Sequence, residues 1–166
     1  IGGMGSVCAE EAMFLARQGH AVTVFTLAYS TTTDYQEHDK QFPFKIVRLN
    51  ALVKMGDAGL VPQILKQLKN SFDLVHLHYP FYGGAEWLCF SPTPLVVTYH
   101  MDAQTTGLKS LLQKMYDAIW PRLVFAKAKK IMLVDPSFRE SKYLQSIFKD
   151  KIIDITNGVD LDIFKP

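Results

Sequence analysis

The sequence is short of most features that would announce a function. Cys8 and Cys89 are its only cysteines, and neither falls in a CxxC or zinc-finger spacing. That excludes a disulfide-stapled scaffold and points to free thiols in a reducing cytosol. A charge of one sign is missing too: the formal net charge is +2, too small to draw the chain to nucleic acid. The short "KAKK" at 127–130 reads as the solvated basic end of a helix. No apolar run reaches the ~20 residues that span a bilayer, and no secretory leader is visible. Internal repeats and low-complexity tracts are absent. The chain opens at Ile1 without Met, which raises the expectation of residues upstream. Its 166 residues suffice for one domain with a proper core.

What is present is an alternation of two patterns. Six apolar, β-rich runs stand at 21–27, 45–49, 73–78, 95–99, 131–134 and 152–155. Most lack strict polar alternation, so they read as strands buried on both faces of a sheet. Helical patterns lie between them. Residues 5–18 carry Val7, Met13, Phe14 and several alanines at helical spacing, and Gly19 supplies a stop. Residues 60–70 put Leu60, Val61, Ile64, Leu65 and Leu68 on one face, with Lys66 and Lys69 on the other. A longer helical region covers 107–127, interrupted by Pro121. Another covers about 137–148, with Asp135–Pro136 as N-cap and first turn. The polar segment 28–44 reads as a loop. Strands alternating with helices predict an open, mostly parallel α/β sheet of Rossmann-like type with helices on both faces.

Gly2, Gly3 and Gly5 precede the first helix as a loop, where glycine permits close backbone approach and the helix N-terminus presents unpaired amides to an anion. A dinucleotide fingerprint fits poorly. Cys8 stands where a third glycine or alanine belongs, and Thr23 to Thr26 hold no acidic residue for a ribose. The Walker lysine is missing as well. A bare structural turn remains the alternative.

The third run ends in His76 and His78, which strand periodicity places on one face, then turns through Pro80, Gly83 and Gly84. The fourth run ends in His100, followed by Asp102. In open α/β sheets, ligands bind at the carboxyl ends of strands. His78 and His100 therefore stand where chemistry is done, whereas His76, earlier in its strand, reads as a structural hydrogen-bonder. A zinc site built from His76, His78 and His100 is a further reading, with no fourth ligand evident beyond Asp102.

Four stretches in order, "GGMGSVCAEEAMFLARQGHAVTVFT", "DLVHLHYP", "PLVVTYH" and "ITNGVDLDIFKP", resemble the N-terminal half of a retaining glycosyltransferase of the GT-B fold, family 4 or group 1 type. The resemblance covers essentially residues 1–166. It implies two Rossmann-like domains across a cleft, of which this would be the acceptor-side one. The donor-binding domain, with its pair of glutamates, would follow Pro166. By position, Gly2 and Gly3 match the loop that reaches the donor diphosphate, and His100 matches the active-site histidine. His78, Gly83, Gly84 and Asp102 fall on the acceptor side. Asn157 and Gly158 match the "NGVD" turn leaving the domain, with Thr156 where the family usually has proline. The implied partners are a nucleotide-sugar donor, a sugar, lipid-linked or other acceptor, and the chain's own C-terminal domain. No cofactor and no metal are implied, because helix N-termini and basic residues stabilise the leaving diphosphate.

The family's glycine loop follows a first, central strand, which is not in the sequence. The expectation is a cytoplasmic fragment that is inactive alone, with a gap between the strands at 21–27 and 73–78. Weak peripheral attachment to the inner membrane face, through residues 60–70, is a secondary expectation. Two other classes compete: a non-catalytic α/β binding domain, and a metal-dependent hydrolase using the three histidines.

Overall fold

The computed structural model describes residues 3–28, 34–56, 58–69, 72–102, 108–141, 144, 146–156 and 158. Gly2 and Asn157 lie outside them. Helix α1 spans Gly3–Arg17. It closes where Gly19 turns to φ +90 and the His20 amide donates to the Leu15 carbonyl at 3.1 Å, a glycine-dependent helix end. Ala12 is the residue of α1 that is buried, whereas Phe14, expected on the packing face, is 63% exposed.

Strands β1 (Thr23–Leu27) and β2 (Lys45–Leu49) pair in parallel, Thr23 opposite Lys45. Between them, the segment read as a loop carries helix α2, Asp34–Asp39. Arg48 of β2 donates to both Asp39 carboxylate oxygens, at 2.7 and 2.6 Å, and stacks 4.0 Å over the Tyr35 ring. This tertiary grip orders a polar stretch with no apolar period of its own. A small antiparallel hairpin follows, β3 (Lys54–Met55) and β4 (Ala58–Gly59), then the short helix α3, Ile64–Leu68.

The second parallel sheet has the order β5-β6-β7-β8, formed by Val75–Tyr79, Leu95–Tyr99, Lys130–Leu133 and Ile152–Asp154. Helix α4 (Ala85–Leu88) follows β5, and helix α5 (Leu108–Lys127) runs through Pro121 and ends as the basic run predicts. The helix expected over 137–148 is replaced by two 3₁₀ segments, Pro136–Glu140 and Ser146–Lys151. Asp135 does cap the first, accepting from the Ser137 amide at 2.7 Å.

The alternation of β5 decides which helix lies where. Leu77 and Tyr79 enter the core, where Tyr79, Tyr99 and Phe148 pack around Phe125 of α5 with ring centroids 5.1, 5.8 and 6.1 Å away. His76 and His78 face the other way, toward Glu11 of α1. Helices therefore cover both faces of the sheet. Burial on both faces holds for β6 except at Val96, which is half-buried, while β1 and β2 keep partial exposure along most of their length. Among the described residues, strands β1 and β5 belong to separate sheets and do not pair with each other.

Candidate functional site

Strand β5 delivers two imidazoles to one face because His76 and His78 are two residues apart. Their rings stack with centroids 4.6 Å apart, and His78 stacks on His100 at 5.2 Å. His100 lies just past the end of β6, tied to the neighbouring strand by its amide, which donates to the Tyr79 carbonyl at 3.0 Å. A 2.9 Å hydrogen bond joins His78 Nδ1 and His100 Nε2, and a 2.6 Å bond joins His76 Nε2 and Thr98 Oγ1. His100 is only 8% exposed.

Helix α1 adds a carboxylate. Glu11 Oε2 lies 3.5 Å from His76 Nδ1 and 3.4 Å from His78 Nε2. Burial pushes His76 down to about 4, with His100 adding to the effect, and His78 down to about 3, with His76 and His100 adding. His100 is lowered by burial as well. Burial raises Glu11, and pushes the Cys8 thiol up to about 11 with the help of the Glu11 charge. The histidines are thus neutral near pH 7. Glu11 does not form ion pairs with them, despite its proximity.

The arrangement joins three of the sequence's candidates and separates the others. His76, His78 and His100 form one stack, with His76 more engaged than its mid-strand position suggested. The third member of the donor-atom cluster beside His76 and His78 is Glu11; His100 instead bonds His78 from behind. Glu11 and Thr98 were not singled out from the sequence. The available signal was a carboxylate on the inward side of α1, one turn from Cys8 and next to Ala12.

Asp102 belongs to a different cluster. Its Oδ1 accepts from the Tyr99 hydroxyl and, at 2.7 Å, from Ser141 Oγ, which pins the chain after β6 onto the segment beyond β7. Gly83 and Gly84 make the entry to α4. The Gly83 amide donates to Glu86 Oε1 at 3.0 Å, its carbonyl accepts from Val61 N at 2.9 Å, and Trp87 Nε1 donates to that same carbonyl at 3.2 Å. Gly3 sits in the first turn of α1, eight residues before Glu11 and so roughly 12 Å along the axis. Gly158 is exposed. No described helix is long and apolar enough to cross a membrane.

Comparison with known proteins gives one finding at the family level. The model for Glycosyltransferase Family 4 matches residues 1–163, nearly the whole chain. No curated protein matches it.

Proposed function

The chain belongs to glycosyltransferase family 4, and from that premise we propose that it is the acceptor-side domain of an enzyme that moves a sugar from a nucleotide-sugar to an acceptor with retained configuration. The observation that carries this reading is His100. It is a buried, neutral imidazole at the carboxyl end of a central strand, held from behind by His78 Nδ1. With Nε2 committed, Nδ1 is left to meet a sugar or acceptor hydroxyl, and no described residue bonds it. Such a group orients a reactant by hydrogen bonding without adding charge.

By position Gly2 and Gly3 are the donor-diphosphate residues, and Gly3, in the first turn of α1, stands where the helix dipole favours negative charge. The remaining donor contacts come from a second domain, which also supplies the cations that neutralise the leaving group. The transfer step uses no resident metal. The acceptor side includes His78, Gly83, Gly84 and Asp102, the last three shaping the wall by holding the backbone. By sequence position, Asn157 and Gly158 are assigned to the turn that leads toward the donor domain. The domain alone is inactive and binds nucleotide-sugar weakly, and its setting is cytoplasmic.

The test is His100→Ala in the full-length enzyme, with turnover and product configuration followed by NMR. Turnover should fall about 10²-fold or more, with little change in melting temperature and with the anomeric configuration of the donor kept in the wild-type product. Normal turnover of the variant overturns the role of His100; an inverted product overturns the retaining reading.

A further inference from the structure

Glu11, His76 and His78 present one carboxylate oxygen and two imidazole nitrogens within 4.8 Å of one another. The two distances to Glu11 Oε2, 3.4 and 3.5 Å, are long for hydrogen bonds. They are the right length for co-ligands. Bonds of about 2.0–2.1 Å in a tetrahedron set neighbouring ligand atoms about 3.3–3.4 Å apart.

The far side of each ring is also arranged as a metal-binding histidine requires. A ligating imidazole carries its other ring proton to a hydrogen-bond acceptor, which fixes tautomer and orientation. His76 has Thr98 Oγ1 at its Nε2, leaving Nδ1 toward Glu11. His78 has His100 Nε2 at its Nδ1, leaving Nε2 toward Glu11. Both rings are neutral, with lone pairs to offer.

We propose that Glu11, His76 and His78 bind a divalent transition-metal ion of the zinc class, at a site that shares His78 with the acceptor side proposed above and is not required for the transfer step. Two nitrogens and one oxygen suit zinc or cobalt, whereas magnesium and calcium select all-oxygen sets. Three protein ligands leave a fourth position open for water. The ion would also reach His100 through one ring. Metal on His78 Nε2 makes Nδ1–H the donor to His100 Nε2, so the proton of His100 must sit on Nδ1. Occupancy of the site therefore sets the tautomer of the histidine at the strand end.

The experiment is titration of the full-length protein, freed of metal, with Zn²⁺ and with Co²⁺ as a spectroscopic probe. The expected result is one ion whose Co²⁺ form shows the intense visible ligand-field band of a tetrahedral site. Glu11→Gln and His78→Gln should each weaken it at least about 10²-fold, and Thr98→Val, behind His76, about 10–100-fold. Circular dichroism melts without metal identify a variant that fails to fold. The Thr98→Val change, one hydroxyl for one methyl, then carries the test. Absence of a bound ion, or an ion that all three variants hold as tightly as the wild type, overturns the proposal. Either outcome leaves the transfer reading standing, because turnover and His100→Ala are measured apart from metal.

Discussion

At Gly83 the backbone has φ +83, and an added Cβ would lie 2.3 Å from the Gly59 carbonyl oxygen and 2.8 Å from the Leu60 nitrogen. Both obstacles are main chain and cannot swing aside. Left-handed strain costs about 1–3 kcal/mol and overpacking a similar amount, so Gly83→Ala should destabilise by at least about 2 kcal/mol, read as a lower urea midpoint. An unchanged midpoint removes the docking of α4 on β4 as an organising contact. A second residue-scale prediction concerns acid. Hydrogen bonds from Arg48, then its charge and that of His38, hold the Asp39 carboxyl below the usual aspartate range. A folded pKa below the unfolded value gives stability that is present above about pH 4 and lost as pH falls through the folded value. Asp39→Asn should therefore melt lower than wild type at pH 6 and approach it near pH 2. Because the pair is part-exposed, the difference at pH 6 should be about 1 kcal/mol or less. A gap that stays constant from pH 6 to 2 would show that charge is not its origin.

The same scale explains what could be read from the chain without coordinates. Strand period identifies the shared face of His76 and His78, and strand end the place of His100, because both are local properties of the backbone. Glu11 is not legible in that way. It lies some sixty residues from its partners, and only the packing of α1 on β5 makes it a neighbour.

Among the elements, α3 departs most usefully from its pattern. The amphipathic period runs over 60–70, yet the helix occupies only Ile64–Leu68. Val61, Ile64 and Leu68 enter the core, and Leu60 turns out to be 40% exposed. The apolar face is therefore already spent on packing, leaving Lys66 and Lys69 to meet any membrane. Each basic residue near an anionic surface contributes ~1 kcal/mol, so two give little. Co-sedimentation with anionic vesicles at physiological salt should be slight and unchanged by Lys66→Glu. Strong binding abolished by that substitution would place a lipid-facing role on this element. The segment 137–148 shows the opposite override. Ser141 adopts ψ 136 and sends its hydroxyl to Asp102, so a helix-compatible sequence breaks into two short 3₁₀ pieces under a tertiary bond. Hairpin β3–β4 escaped the sequence reading because two-residue strands carry no measurable period.

At the scale of the whole molecule, the parallel registers determine which backbone groups of β1 and β5 face away from their partner strands. Lys45 N donates to the Val22 carbonyl at 3.1 Å and Ala28 N to the Leu49 carbonyl at 2.9 Å. With Thr23 opposite Lys45, the even residues of β1 serve β2, and the amides of Thr23, Phe25 and Leu27 point to its other edge. In β5, Val75 N donates to the Pro94 carbonyl at 2.8 Å and the Tyr79 carbonyl accepts from His100 N at 3.0 Å. The odd residues there serve β6, which turns the amides of His76 and His78 outward. Both strands thus turn these amides away from their paired neighbour, and among the described residues β1 and β5 do not pair with each other. Leaving a buried backbone group unsatisfied costs about 1–3 kcal/mol, and a whole domain is stable by only ~5–15 kcal/mol. The 166-residue chain by itself should therefore melt low, and its local openings should be uneven. Hydrogen exchange followed by NMR should find the amides of Thr23, Phe25, Leu27, His76 and His78 exchanging about 10²-fold or more faster than those of Val24, Thr26 and Leu77, although the two groups alternate along the same strands. A period-two pattern of this kind reports an open edge, since local unfolding would release both groups together. Equal protection of all eight amides would mean that another strand pairs with these edges, and a concentration-dependent melt would then identify that strand as coming from a second chain.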